Sequence, residues 1–336
     1  MQYLHMDYRI KQAPEDFVVR EKADLRIEPG RYAYYRLSKR GWTTQAAADQ
    51  VARAFRKRPR FINFSGNKDK HAVTEQYISI LHGPRRGLEL QGGDIRLEYL
   101  GQGRERLNLG TSPGNEFEIT VRNLPPGFKP RALSRFPNYF DEQRFGMNLN
   151  NHLVGKSLIT RDFGGACSLV PETREWLGKS PRDYVGAMRS LPKRVLRLHV
   201  HAYQSWLWNR TACSCLGASP HRVIPWPLGE LVMPGKPVKN IRIPVLGYDS
   251  EIPRELKKII RDILKQEGIS LEDFRIRQFR EFDLAGDCRD MMAGLRDMDI
   301  GPPQDDELNP GRKKFLVRFS LRSGSYATMA VRSIFS

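Results

Sequence analysis

Residues 64–76, FSGNKDKHAVTEQ, hold the densest group of reactive side chains, with Lys68, Asp69, Lys70 and His71 in an unbroken run just after Gly66. A glycine after an apolar strand permits a tight turn. Cations on both sides of Asp69 favour its carboxylate anion, the form that attacks an electrophile or abstracts a proton. On its own, a Lys-Asp-Lys turn is more often a solvated loop than a reaction centre. Metal chemistry finds less support: Cys167, Cys213, Cys215 and Cys288 form no C-x-x-C pair, and His199 and His201, two apart, fall on different faces of a helix. Lys39, Arg40 and Gly41 do not open a phosphate loop, because the chain has no G-x-x-x-x-G-K-[ST] string.

Positioning such a loop requires a sheet. Phe17–Glu21, Tyr32–Leu37, Phe61–Phe64, Gln76–Leu81 and Ile95–Leu100 read as strands. Residues 116–122 alternate, with Phe117, Ile119 and Val121 on one face, and Phe315, Val317, Phe319 and Leu321 repeat the pattern far down the chain. A helix follows Gly41–Thr44 with Ala48, Val51 and Phe55 on one face, and Pro59 in the basic run Arg56–Arg60 should stop it. Between the two sheet regions the pattern turns helical. Leu256, Ile259, Ile260, Ile263 and Leu264 mark one buried stripe, and Val195–Leu207 reads as a second helix. These periods imply an α+β protein whose sheet domain is built from both chain ends around an insertion, without internal repeats.

With 336 residues the chain is long enough for more than one core. The formal net charge is +18, from 56 Lys plus Arg against 38 Asp plus Glu, which suits a polyanion bound through counterion release. No run of apolar residues is long enough to cross a bilayer as a helix, and the cysteine usage fits a reduced compartment, so a cytoplasmic protein without membrane association is expected.

The string GNKDKHAVTEQ closely resembles the signature of the TruD family of tRNA pseudouridine synthases. Residues 137–146, PNYFDEQRFG, resemble that family's NYFG-x-QRFG motif, with Asp141 in place of Gly; KQAPEDF (11–17) and GSYAT (324–328) are similar to two more of its segments. The motifs run in order over nearly the whole chain. The resemblance implies a pseudouridine synthase catalytic domain with a mixed, mainly antiparallel sheet flanked by helices over 1–158 and 300–336, and an inserted α/β TRUD domain over 159–299. It also implies isomerisation of a tRNA uridine, by family membership uridine 13, with no cofactor, no metal and no obligate protein partner. Asp69 would be the catalytic residue and Lys11 its charge partner. Phe17, Phe140 and Tyr326 would wall the pocket of a flipped base, and Asn138 would read the uracil edge or place the ribose. Lys68 and Arg144 would complete the substrate contacts. Trp206, in the AYQSWLWN segment, is expected to be buried. Arg56–Arg60, Arg85, Arg86, Lys313 and Lys314 would grip phosphates. The rivals are a non-catalytic RNA-binding or ribosome-assembly protein on the same fold, and a nuclease or methyltransferase. The latter two would need clustered metal carboxylates or a Gly-rich nucleoside loop, and neither is present in the sequence.

Overall fold

A computed structural model of the chain describes residues 8–336 apart from 109, 111 and 283. The protein is α+β and divides into two compact units, one formed by Phe136–Ala293 and the other by the chain on either side of it, up to Arg135 and from Gly294 to Ser336. These boundaries differ from the expected 158/159 and 299/300. The first of those would cut within the helix Asn151–Ile159, a single cooperative element packed on its own unit.

The flanking unit is built on a ten-stranded sheet among the described residues. Its strands are β1 (Phe17–Lys22), β2 (Tyr32–Arg40), β3 (Ile62–Phe64), β4 (Val73–Leu81), β5 (Leu88–Leu90), β6 (Ile95–Gly103) and β7 (Gly114–Leu124), followed by Arg296–Ile300, Gln304–Asp305 and Lys313–Arg322. β1 pairs in parallel with β4, and all the other pairings are antiparallel. The alternation in both outlying segments selects the buried face: Ile119, Val121 and Val317 are fully buried and Phe319 nearly so, and the last strand pairs directly with β7, Phe319 opposite Phe117. Helix α1 (Thr44–Ala54) covers one side of the sheet, capped by the Thr43 hydroxyl accepting from the Ala46 amide. It packs Ala47, Ala48, Val51 and Ala52 with Tyr35, Leu37, Ile78 and Ile80 in one core.

The Phe136–Ala293 unit centres on a long helix, Lys193–Gly217, which extends well past the expected Leu207. Helix Asn151–Ile159 crosses it so closely that a Cβ on Gly155 would lie 2.2 Å from the His199 carbonyl oxygen. Trp208 is the fully buried tryptophan of this helix. Trp206, only partly buried, lies tilted against His152 with ring centroids 4.8 Å apart. Two antiparallel ribbons, His221–Trp226 with Gly229–Pro234 and Arg242–Val245 with Asp287–Asp290, complete the unit. A short repeat that composition hides is visible here. Arg161-Asp162-Phe163 and Arg182-Asp183-Tyr184 each place the arginine at positive φ and the aspartate as an N-cap 2.9 Å from a glycine amide.

Candidate active site

The loop between β3 and β4 carries Asp69, and side chains rather than backbone flexibility fix its course. Gly66 has no positive φ, and a Cβ there would meet nothing within 4 Å, so the turn does not depend on the glycine expected to make it. Gln76 of β4 donates to the Gly66 carbonyl at 3.2 Å and accepts from the Thr44 hydroxyl at 2.8 Å, and that hydroxyl accepts from the Lys68 amide at 2.8 Å. The Lys68 ammonium turns back into the sheet, 2.5 Å from Asn115 Oδ1 and 3.3 Å from Glu21 Oε1. The Lys68 side chain is 9% exposed and that of Glu21 0%. Glu21 also accepts from the Tyr77 amide at 2.9 Å. Lys68 therefore anchors the loop to β1 and β7.

Lys39, at the end of β2, is buried, and its ammonium donates to the carbonyls of Trp42 at 2.6 Å and Asp69 at 2.8 Å. Burial pulls this ammonium down from 10.5 to about 8, with Asp69 opposing the shift and Lys68 adding to it. In the sequence Lys39 stands out only beside the phosphate loop that it does not open, although its phase carries a further signal. Its period-two position places it on the face of Tyr35 and Leu37, both fully buried, and a lysine in phase with a core stripe needs a reason to be there.

The Asp69 carboxylate meets Lys11 Nζ at 2.5 Å, with the two side chains 23% and 31% exposed for lysine and aspartate. Lys11 adopts φ 61°, an uncommon left-handed conformation for a residue with a side chain. Its ammonium lies 4.2 Å from the centroid of the buried Phe17 ring. Phe17 packs edge-on against Phe117, which stacks on Phe319, so an aromatic row crosses β1, β7 and the last strand. Asp16 secures this segment from beneath. One oxygen accepts from the Ala13 amide and the other from Arg122, whose guanidinium also reaches Asp306 and Glu307. Arg122, Asp16 and Asp306 are all buried, and each charge has hydrogen-bonded partners. Tyr326 is partly buried and opens the helix Ala327–Ile334 as its N-cap residue.

Asn138, Phe140 and Arg144 belong to the other unit, where they cluster around Arg289. The Asn138 side chain donates to the Asp290 carbonyl at 3.0 Å and accepts from Arg289 at 2.6 Å. Phe140, 7% exposed, has the guanidinium carbons of Arg289 and Arg144 at 4.3 and 5.3 Å from its centroid and the Trp208 ring edge-on at 5.6 Å. Asn209 of the long helix clasps the Phe140 peptide, accepting from its amide at 2.9 Å and donating to its carbonyl at 2.8 Å. Neither Asn209 nor Arg289 was singled out from sequence, since a contact across 69 or 151 residues leaves no local period. Asp141 has φ −90° and ψ 171°, extended backbone that any residue adopts, so the glycine of the family pattern is not required here. Gly146, at φ 82°, is left-handed, and a Cβ there would crowd the Asn151 side chain.

Arg56, Arg58, Arg60, Arg85 and Arg86 are exposed. Lys313 and Lys314, expected beside them as phosphate contacts, are paired with Asp305 and Glu307. Among the described residues no cluster of three or more His, Cys, Asp or Glu side chains could hold a metal ion, and no helix is long and apolar enough to cross a membrane.

The fold is thus α+β, a mainly antiparallel sheet that carries Asp69 on a lysine-braced loop and is interrupted in sequence by a largely helical insertion. The comparisons with known proteins narrow this. The family model for tRNA pseudouridine synthase D (TruD) matches residues 3–174, 172–220 and 236–334, and the chain belongs to that family. A probable tRNA pseudouridine synthase D of Nanoarchaeum equitans is 31% identical, over 97% of this chain and 98% of its own length. One from Methanosarcina acetivorans is 29% identical, over 96% and 91%. The crystal structure of a putative tRNA pseudouridine synthase D from Methanosarcina mazei superposes with a TM-score of 0.74 at 27% identity, covering 100% of this chain and 95% of that one.

Proposed function

We propose that this chain converts a uridine of tRNA, uridine 13 by the family resemblance, to pseudouridine, with Asp69 as the acting carboxylate. The reaction breaks the N1–C1′ bond, turns the base and joins C5 to C1′. A proton leaves C5 and one is gained at N1, so no electrons or atoms are exchanged with a co-reactant. Two routes use one carboxylate at this point: attack to form a covalent adduct, or removal of a ribose proton to give a glycal-like intermediate. Either needs the uridine drawn out of its stack and held against apolar walls, and Tyr326 is suited to stacking there.

The observation that carries this reading is the Asp69 carboxylate itself. It is partly exposed and oriented by Lys11 at 2.5 Å, on a loop whose backbone is tied to β4, α1 and Lys39. A rigidly held group avoids the reorganisation that a mobile one would need in the transition state. The exposed arginines, Arg58 among them, supply phosphate contacts that set affinity for tRNA. The flanking unit acts as the catalytic domain and Phe136–Ala293 as the family's inserted domain, with Asn138 and Phe140 shaping the insertion around Arg289.

The test is incubation of the protein with unmodified tRNA transcripts and mapping of pseudouridine by carbodiimide-dependent primer-extension stops, beside Asp69→Ala and Asp69→Asn. A stop at one uridine with the wild type, and none with either variant while both still bind tRNA, is expected. Binding without a stop in the wild type would favour a non-catalytic RNA-binding protein instead.

A further inference from the structure

We propose that Lys39 is a positioning residue for Asp69: by gripping the carbonyls of Trp42 and Asp69 from inside the sheet, its ammonium fixes the Asp69 peptide and so aims the carboxylate. The inference rests on the isomerase reading. Lys11 and Lys39 hold the same residue from two sides, one at the carboxylate and one at the backbone carbonyl 2.8 Å from a buried Nζ. Lys11 reaches the Asp69 carboxylate from the partly exposed side, and Lys39 reaches its carbonyl from within. With the carbonyl also pinned, the loop has little room to turn.

A purely structural role explains Lys39 poorly. Its hydrogen-bond partners here are neutral carbonyls, and an ammonium withdrawn from water onto neutral partners costs stability relative to an apolar side chain of the same length. The lowered proton affinity of Lys39 records that cost. Groups held in a disfavoured charge state tend to sit where function needs them, and the peptide gripped here is that of Asp69. The Trp42 carbonyl, just beyond β2 and ahead of α1, is the fixed end of the clamp, and the Asp69 carbonyl is the end being positioned.

The test compares full-length wild type with Lys39→Met, which keeps the chain length without the charge, and Lys39→Gln, which keeps a donor. Amide hydrogen exchange of residues 66–72, melting temperature, tRNA affinity and single-turnover pseudouridine formation at saturating enzyme are measured for each. For Lys39→Met we expect residues 66–72 to exchange about 10-fold faster and the single-turnover rate to fall about 100-fold, the loss that follows a misplacement of about 1 Å. Its tRNA dissociation constant should stay within about two-fold and its melting temperature should fall by no more than a few degrees, since two carbonyls lose their donor while a buried charge is removed; Lys39→Gln should lie between. Wild-type loop protection and rate in both variants would overturn the proposal, as would a rate loss matched by an equal loss of tRNA binding or of fold. Should Lys39→Met fail to fold, Lys39→Gln carries the same comparison. Should the wild type form no pseudouridine, the isomerase reading fails, while the exchange data still decide whether Lys39 holds Asp69.

Discussion

Lys68→Met separates two roles for the residue beside Asp69, a substrate contact as the sequence suggests or a loop anchor as its geometry indicates. The Lys68 ammonium lies 3.3 Å from a Glu21 carboxylate that is wholly removed from solvent. At that separation, with an effective dielectric constant of about 20, the Coulomb attraction is about 5 kcal/mol, most of it offset by taking both charges out of water. Removing the lysine alone leaves Glu21 with the Tyr77 amide as its remaining partner described here, and breaking a buried pair from one side costs about 3–5 kcal/mol. Glu21→Gln leaves the buried ammonium with the neutral Asn115 Oδ1 in place of a carboxylate. The double variant should therefore be more stable than the sum of the single effects predicts, by a coupling of about 1–3 kcal/mol. Urea unfolding followed by far-ultraviolet circular dichroism, on wild type, both single variants and the double variant, measures this coupling. Binding of tRNA across a range of salt concentrations is measured alongside, because a lysine on a phosphate contributes about one unit to the salt slope. A coupling below about 0.3 kcal/mol, together with a slope reduced by one in Lys68→Met, would refute the anchor role and return Lys68 to the substrate.

Two further outcomes follow from the geometry. His152 is buried beneath Trp206, and burial pulls its imidazole from 6.5 down to about 4, Glu267 opposing; the unfolded chain thus takes up the proton first, and stability is lost as pH falls from about 6.5 to 4, up to about 3 kcal/mol in all. His152→Phe should flatten the acid limb of a urea-unfolding series between those pH values, and an unchanged limb would assign the acid sensitivity to other groups. Arg58→Ala, at an exposed position, should weaken tRNA binding and lower its salt slope by about one while leaving single-turnover chemistry nearly intact, and loss of the chemical step at saturating enzyme would show that grip and chemistry are not separate.

The strands were legible wherever burial alternates. Phe117, Ile119 and Val121, and then Phe315 to Leu321, announced their buried faces because a sheet with one apolar side leaves a period of two in the sequence. Long-range pairing was not legible: no local pattern shows that β1 runs parallel to β4 or that the last strand joins β7. At the site, the Lys11–Asp69 pair and Phe17 follow from motif resemblance, and the structure brings these three together. The partners that hold them, Lys39, Gln76, Glu21 and Arg122, are polar residues inside strands. Hydropathy alone assigns such residues to the solvent face, so only their phase against buried neighbours could have drawn attention to them.

The pairing of β7 with Lys313–Arg322 also sets an order of events during synthesis. The Phe136–Ala293 unit is continuous in sequence and is complete before the ribosome has made that last strand, whereas the sheet that carries Asp69 must wait for it. The aromatic row and the Arg122 cluster both draw on residues beyond 300, namely Phe319, Asp306 and Glu307. Until they arrive, β7 has an unpaired edge, and slow non-local strand pairing leaves such an edge open to wrong partners. Lys11, Lys39, Thr44 and Gln76, which brace Asp69 and its loop, all precede the insertion in sequence, so the supports of the carboxylate are synthesised long before the strand that closes the sheet.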